Sequence, residues 1–142
     1  MWILWSGKLL SVVRTTSAGS TFSAQWRPSM WQDKAYLLDI LIAARKVLEF
    51  TRGVTWEEFQ RSDMLQNAVM RPLEIIGEVA RKISQETKDA HPEIPWNDMI
   101  GMRDRLIHEY FRINLQTVWD TLQNDIPRLI TLVEPLVPLA ND

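Results

Sequence analysis

From Met30 onward apolar residues recur at intervals of three and four, the period of one face of an α-helix. The stretch from Asp33 to about Phe50 predicts a first helix with Asp33 as its N-cap. Ala35, Leu38, Ile42, Leu48, Phe50 and the stem of Arg45 form its expected inward stripe, widened by Leu37, Ile40 and Leu41. Gly53 closes that segment, and Thr55-Trp56-Glu57-Glu58 has the spacing of a capping box opening a short helix through Phe59. Ser62 or Asp63 then caps a long helix to about Thr87, with Leu65, Val69, Leu73, Ile76, Val79, Ala80 and Ile83 on one face. Pro72 inside this run predicts a kink, because it removes a backbone donor and crowds the preceding turn.

The stretch His91-Pro92-Glu93-Ile94-Pro95 is a linker, since two prolines bar it from a helix interior. A further helix is expected from Trp96 to about Tyr110. Asn114 caps the last helix, in which Leu115, Val118, Leu122, Ile126, Leu129 and Val133 repeat, Pro127 bends the run, and Pro135 and Pro138 end it. No segment alternates like a strand between hairpin turns. The expected architecture is an all-α bundle of four or five helices without internal repeats.

Residues 1–29 break this pattern. They hold three of the seven tryptophans, many Ser and Thr, the cations Lys8, Arg14 and Arg27, and no acid. A secretory signal is one reading of Met1-Trp2-Ile3-Leu4-Trp5 and the Leu and Val pairs after it, but Lys8 interrupts the run and no cationic segment precedes it. An organellar transit peptide is another. The simpler expectation is a poorly ordered extension, unnecessary for function, with Met30 as the true start and residues 30–142 as the domain. No window approaches the roughly 20 apolar residues of a membrane span.

Composition narrows the chemistry. With no cysteine among 142 residues, disulfides, thiolate metal sites and a Cys nucleophile are excluded, which agrees with a reducing cytoplasm. The five glycines form no phosphate-cradling loop. Beyond residue 29 there are thirteen basic and eighteen acidic side chains, so the body is a poor general binder of nucleic acid. Any RNA must be handled at a local basic site, or in a dimer that concentrates one.

Such a site is offered by Met102-Arg103-Asp104-Arg105-Leu106-Ile107-His108-Glu109-Tyr110, which contains one of only two histidines. Imidazole suits proton transfer and guanidinium holds phosphate charge. On a helix Asp104 and His108 share a face, so the carboxylate can orient the ring, and Arg105 also neighbours His108. Arg103 and His108 stand roughly 140° apart round the axis and about 7.5 Å along it. They meet only through the long arginine, a helix distortion, or a second copy of the chain. Trp96 can stack a base. The competing reading is an exposed salt-bridge face. Glu74 and Glu78, one turn apart, are either acid–base or Mg²⁺ groups or a solvated or interface face, and Gly77 between them suggests a close helix approach. The two histidines stand at unrelated spacing, so no metal site and no cofactor are expected.

Several segments in order carry a resemblance: Asp33 to Phe50, Leu73-Glu74-Ile75-Ile76-Gly77-Glu78, Ile94-Pro95-Trp96, Gly101 to Phe111, and Val118-Trp119. Together they resemble HEPN-domain proteins of the HepT-like type, the toxin half of MNT–HEPN (type VII) toxin–antitoxin pairs. The family's Arg, four residues, His, one residue, Tyr falls on Arg103, His108 and Tyr110, with the polar Asp104 after the arginine. The resemblance implies a homodimer with a composite cleft and metal-independent RNA cleavage. In it His108 transfers protons at the 2′-hydroxyl and Arg103 stabilises the scissile phosphate, with Asp104 and Arg105 in support. It also implies a partner, a small nucleotidyltransferase antitoxin, which in some members adds AMP to the motif tyrosine, here Tyr110. The alternative is a non-catalytic helical module that docks such a nucleotidyltransferase or presents it with substrate, in keeping with the acidic body.

Overall fold

A computed structural model describes residues 28–138, apart from the side chains of Pro28, Ser29 and Tyr110. Residues 1–27 of the expected extension therefore lie outside the described residues. The chain divides into two units, Met1–Gln32 and Asp33–Asp142, and the candidate site belongs to the second.

Helix α1 runs Pro28–Phe50, α2 Trp56–Arg61, α3 Asp63–Lys82, α4 Gln85–Ala90 and α5 Trp96–His108. A 3₁₀ turn at Tyr110–Arg112 follows. Then come α6 (Leu115–Asp120), a π-helical turn (Thr121–Asp125), α7 (Ile126–Val133) and a last 3₁₀ turn at Glu134–Leu136. There is no strand among the described residues, and the fold is all-α as expected. No helix among them is long and apolar enough to cross a membrane.

The caps explain most boundaries. The Thr55 hydroxyl accepts from Glu58 N while the Glu58 carboxylate accepts from Thr55 N, the reciprocal box expected from the sequence. Ser62 Oγ accepts from Leu65 N at 3.1 Å and starts α3. Asn114 Oδ1 accepts from Gln116 N at 2.9 Å and from Thr117 N at 3.3 Å and starts α6. Gly53 takes a φ of 72°, a conformation glycine adopts without strain, in the turn that follows α1.

Three expectations need correction. Asp33 is not an N-cap, because α1 is already helical at Pro28. It is buried instead, and its carboxylate accepts from Ser84 N, Ser84 Oγ and Thr87 Oγ1. That anchor sits where the expected long helix breaks: α3 stops at Lys82, and Ser84 caps the separate helix α4 through Thr87 N. Pro72 lies inside α3, which continues through it. The inward face of α1 is also turned from the expected one. Leu37, Ile40, Leu41, Ala44 and Val47 are buried, whereas Ala35 and Phe50 are exposed and Ile42 is 53% exposed. Apolar residues surround much of this helix, so its period leaves the phase open.

The remaining stripes lie as expected. Val69, Leu73, Ile76, Val79 and Ala80 of α3, followed by Ile83, and Val118, Leu122, Ile126, Leu129 and Val133 of the C-terminal run are buried in one core. Trp56, Phe59 and Trp119 form an aromatic cluster with ring centroids 5.2–6.3 Å apart, joining α2 to α6. The C-terminal run keeps its helical course past Pro127 by opening into the π-turn just before it. An i→i+5 turn frees backbone groups where proline can neither donate nor tolerate a close carbonyl.

Candidate active site

The site is built where α3 and α5 touch. On α3, Gly77 and Glu78 stand three and four residues after Glu74, and Arg81 four and three after them, so the four share a face. Gly77 is essential to that contact. A Cβ there would stand 2.2 Å from Arg103 Cβ and 2.6 Å from the Met99 carbonyl oxygen. Only a residue without a side chain lets the stem of Arg103 lie across α3, so the suspected close approach is present.

Arg103 is thereby drawn into the seam, its side chain 15% exposed. One terminal nitrogen lies 3.1 Å from Glu78 Oε2, and the other donates to Asp104 Oδ1 at 3.0 Å. Asp104 accepts in addition from Arg81 at 3.2 Å. Two cations and two anions thus form a neutral cluster. The Arg103–Glu78 contact is close but poorly directed: Glu78 Oε2 and Arg103 Nε are buried and neither has a hydrogen bond. Unmade hydrogen bonds of this kind cost about 1–3 kcal/mol each, so the rest of the fold holds the pair against a local penalty. Glu74, half-buried beside them, has its pKa raised by burial, while Arg71 and Arg103 pull it back down.

His108 is placed differently. It is the last residue of α5, exposed, with no ion pair or hydrogen bond to any described side chain. No hydrogen bond joins Asp104 to His108, although they share a face, and the Asp104 Oδ1 atom is bonded by two arginines instead. Arg105 is also separated from Arg103. Two residues on, it points about 200° round the helix. There it lines a cleft of about 290 Å³ with Asp98, Met102, Thr121, Asp125 and Arg128. Trp96 is buried, with its indole nitrogen donating to the His91 carbonyl at 3.0 Å, so it is unavailable to stack a base. Tyr110 falls beyond the helix, at the start of the 3₁₀ turn, and its side chain lies outside the described residues. Among the described residues no three His, Asp or Glu side chains gather as a metal-ligand set.

The sequence places Arg103 and His108 on one helix but does not reveal that Glu78 pairs with Arg103 and Arg81 with Asp104. A hint of it lies in the spacing of Glu74, Gly77, Glu78 and Arg81, a charged stripe interrupted by one glycine on an otherwise apolar-faced helix.

An all-α bundle with an Arg–x₄–His pair on one of its helices has the layout of a HEPN domain. The ribonuclease HepT-like family model matches residues 40–136, and the chain belongs to that family. It is 47% identical over 96 residues to a Thermococcus cleftensis protein named "Probable ribonuclease HepT", covering 68% of this chain and 87% of that protein. It is 42% identical over 101 residues to the Methanocaldococcus jannaschii protein "Putative RNase MJ1380", covering 71% of this chain and 93% of that protein. A Caldanaerobacter subterraneus protein, "Putative RNase TTE0752", is 36% identical over 104 residues, 73% of this chain and 93% of that protein. No solved structure matches the chain. Ribonuclease is the enzyme class that this membership carries.

Proposed function

We propose that the protein is a metal-independent endoribonuclease toxin of an MNT–HEPN pair, cutting RNA in a cleft shared by two copies. The carrying observation is the contrast within one motif. Arg103 is gripped in the α3–α5 seam, whereas His108, five residues later, stands exposed, with no partner among the described side chains. Among the described side chains of one protomer, none hydrogen-bonds or ion-pairs with His108. Two motifs brought face to face supply a partner.

In this reading His108 removes the proton from a ribose 2′-hydroxyl. The freed oxygen attacks the adjacent phosphorus, the bond to the 5′-oxygen breaks, and that oxygen leaves with the proton that the His108 imidazolium gives back. Arg103 balances the charge that builds on the phosphate oxygens. RNA is thus handled by a few local groups, Arg103 and His108, and not by the acidic body as a whole. The cognate partner is a small nucleotidyltransferase, and Tyr110, just past the helix that carries both residues, is its candidate AMP acceptor. An added phosphoryl group there sets a like charge against incoming RNA.

The test is cleavage of RNA by purified protein in excess chelator, beside His108→Ala. Cleavage by the native protein and not by the variant supports the reading. Equal activity in both, or activity only after Mg²⁺ is added, sinks it.

A further inference from the structure

We propose that Glu78, on α3 and outside the Arg–x₄–His motif, is the positioning residue for Arg103. Its carboxylate, set in the seam that Gly77 opens, fixes where the guanidinium can meet a phosphate. This inference rests on the ribonuclease reading of Arg103.

Three observations carry it. Glu78 is as enclosed as Arg103, each side chain 15% exposed, whereas the other two members of the cluster, Asp104 and Arg81, are 48% and 47% exposed. Glu78 also follows Gly77, whose missing side chain brings Arg103 against α3. The placement of the arginine stem and the placement of its counter-charge are therefore set by consecutive residues of one rigid helix. Finally, the two acids hold different terminal nitrogens of the guanidinium: Glu78 the inner contact at 3.1 Å, Asp104 the outer at 3.0 Å.

These facts divide the labour. A phosphate arriving from solvent needs donors on Arg103 and meets a cluster with no net charge. One acid has to give way. Asp104 is half-exposed and has Arg81 to retain it, so it can release Arg103 and stay paired. Glu78 is enclosed and cannot retreat to water without exposing the seam. The guanidinium is thus held from behind by Glu78 and opened in front by Asp104. A buried charge left without its partner leaves its site or neutralises, so removing the Glu78 charge frees the arginine to swing outward.

The experiment is Glu78→Gln, which keeps size and shape and removes the charge. Two readouts are taken on the full-length protein. The first is exchange of the Arg103 Nε proton with water, followed by NMR on folded protein. That nitrogen is buried in the native seam, so its exchange is slow, and in the variant it becomes fast. The second is steady-state cleavage of RNA, in which kcat falls roughly tenfold to a hundredfold, the scale of a misplaced catalytic group, while KM changes less than threefold. Unchanged exchange in a folded variant overturns the proposal whatever the kinetics show, as does a fall in KM-controlled binding with kcat intact. If the native protein cleaves no RNA but Arg103 is released in the variant, the ribonuclease reading fails and the positioning role stands. Should the glutamine variant not fold, Glu78→Asp, which keeps the charge but withdraws it by one methylene, carries the same two measurements.

Discussion

Arg103 and His108 belong to one helix and one short motif, yet the fold treats them in opposite ways. Arg103 is enclosed, faces two acids and lies across a glycine cut for it. His108 stands at the last turn of α5 with its ring in solvent. The difference teaches which half of the chemistry the protomer can prepare alone. Holding a guanidinium in place requires packing, and two helices supply that. Giving an imidazole a fixed orientation requires a polar partner, and the acid at helical spacing, Asp104, turns its Oδ1 to two arginines instead.

That contrast can be broken most sharply at His108. His108→Ala is expected to lower the cleavage rate by about 10²–10⁴-fold, the usual share of general acid–base catalysis, without shifting the thermal midpoint. A melting curve beside a cleavage assay checks it, and a destabilised variant contradicts an exposed histidine with no partner among the described side chains. Arg103→Ala should fail in both assays. Cleavage drops about 10²–10³-fold, as for loss of a charge-stabilising donor. Unfolding becomes easier by about 3 kcal/mol, because Glu78 is left enclosed without its counter-charge. Denaturant titration separates the two losses.

Next in size comes Gly77→Ala. The added methyl meets a Cβ and a carbonyl oxygen at impossible distances, so α3 and α5 must part, at a cost of about 1–3 kcal/mol for an overpacked interface. Cleavage should fall with it while His108 is untouched, and a native-like midpoint would show that the helices have room to spare. The smallest effect belongs to Glu74→Gln. Burial raises the Glu74 pKa above its ordinary value of 4.5. Its charged form is thus disfavoured in the folded state, and the penalty grows as pH climbs from 4.5 through the raised value. The glutamine variant should be slightly more stable than the native protein at neutral pH and indistinguishable from it below pH 4.5. Midpoints measured across that range decide it.

Much of the fold is legible along the chain, for identifiable reasons. The inward face of α3 can be read residue by residue because most of the charged and polar positions of that helix fall on the rest of its circumference. The face of α1 cannot, because Leu38 and Ile42 compete with Leu37, Ile40 and Leu41, and only packing against the bundle chooses between them. Thr55 and Asn114 announce their helices because a cap acts on residues two or three positions away. Asp33 looks the same in sequence but spends its carboxylate on Ser84 and Thr87, some fifty residues on, which no local pattern reveals. The site follows the same rule. Arg103 and His108 are visible in a nine-residue motif, whereas the pairing of Arg103 with Glu78 and of Asp104 with Arg81 joins two helices and appears only once they are packed.

The π-turn at Thr121–Asp125 has a consequence for how the C-terminal helix keeps count. Val118, Leu122 and Ile126 are all buried, yet two successive steps of four carry a regular α-helix about 80° past its starting direction. The wider turn absorbs that excess, so the segment behaves as a shorter helix that has taken in one surplus residue. The ladder is in register above and below the insertion, and the extra residue is stored as a local widening. A chain can lengthen in this way without rotating everything downstream of the added residue away from its core.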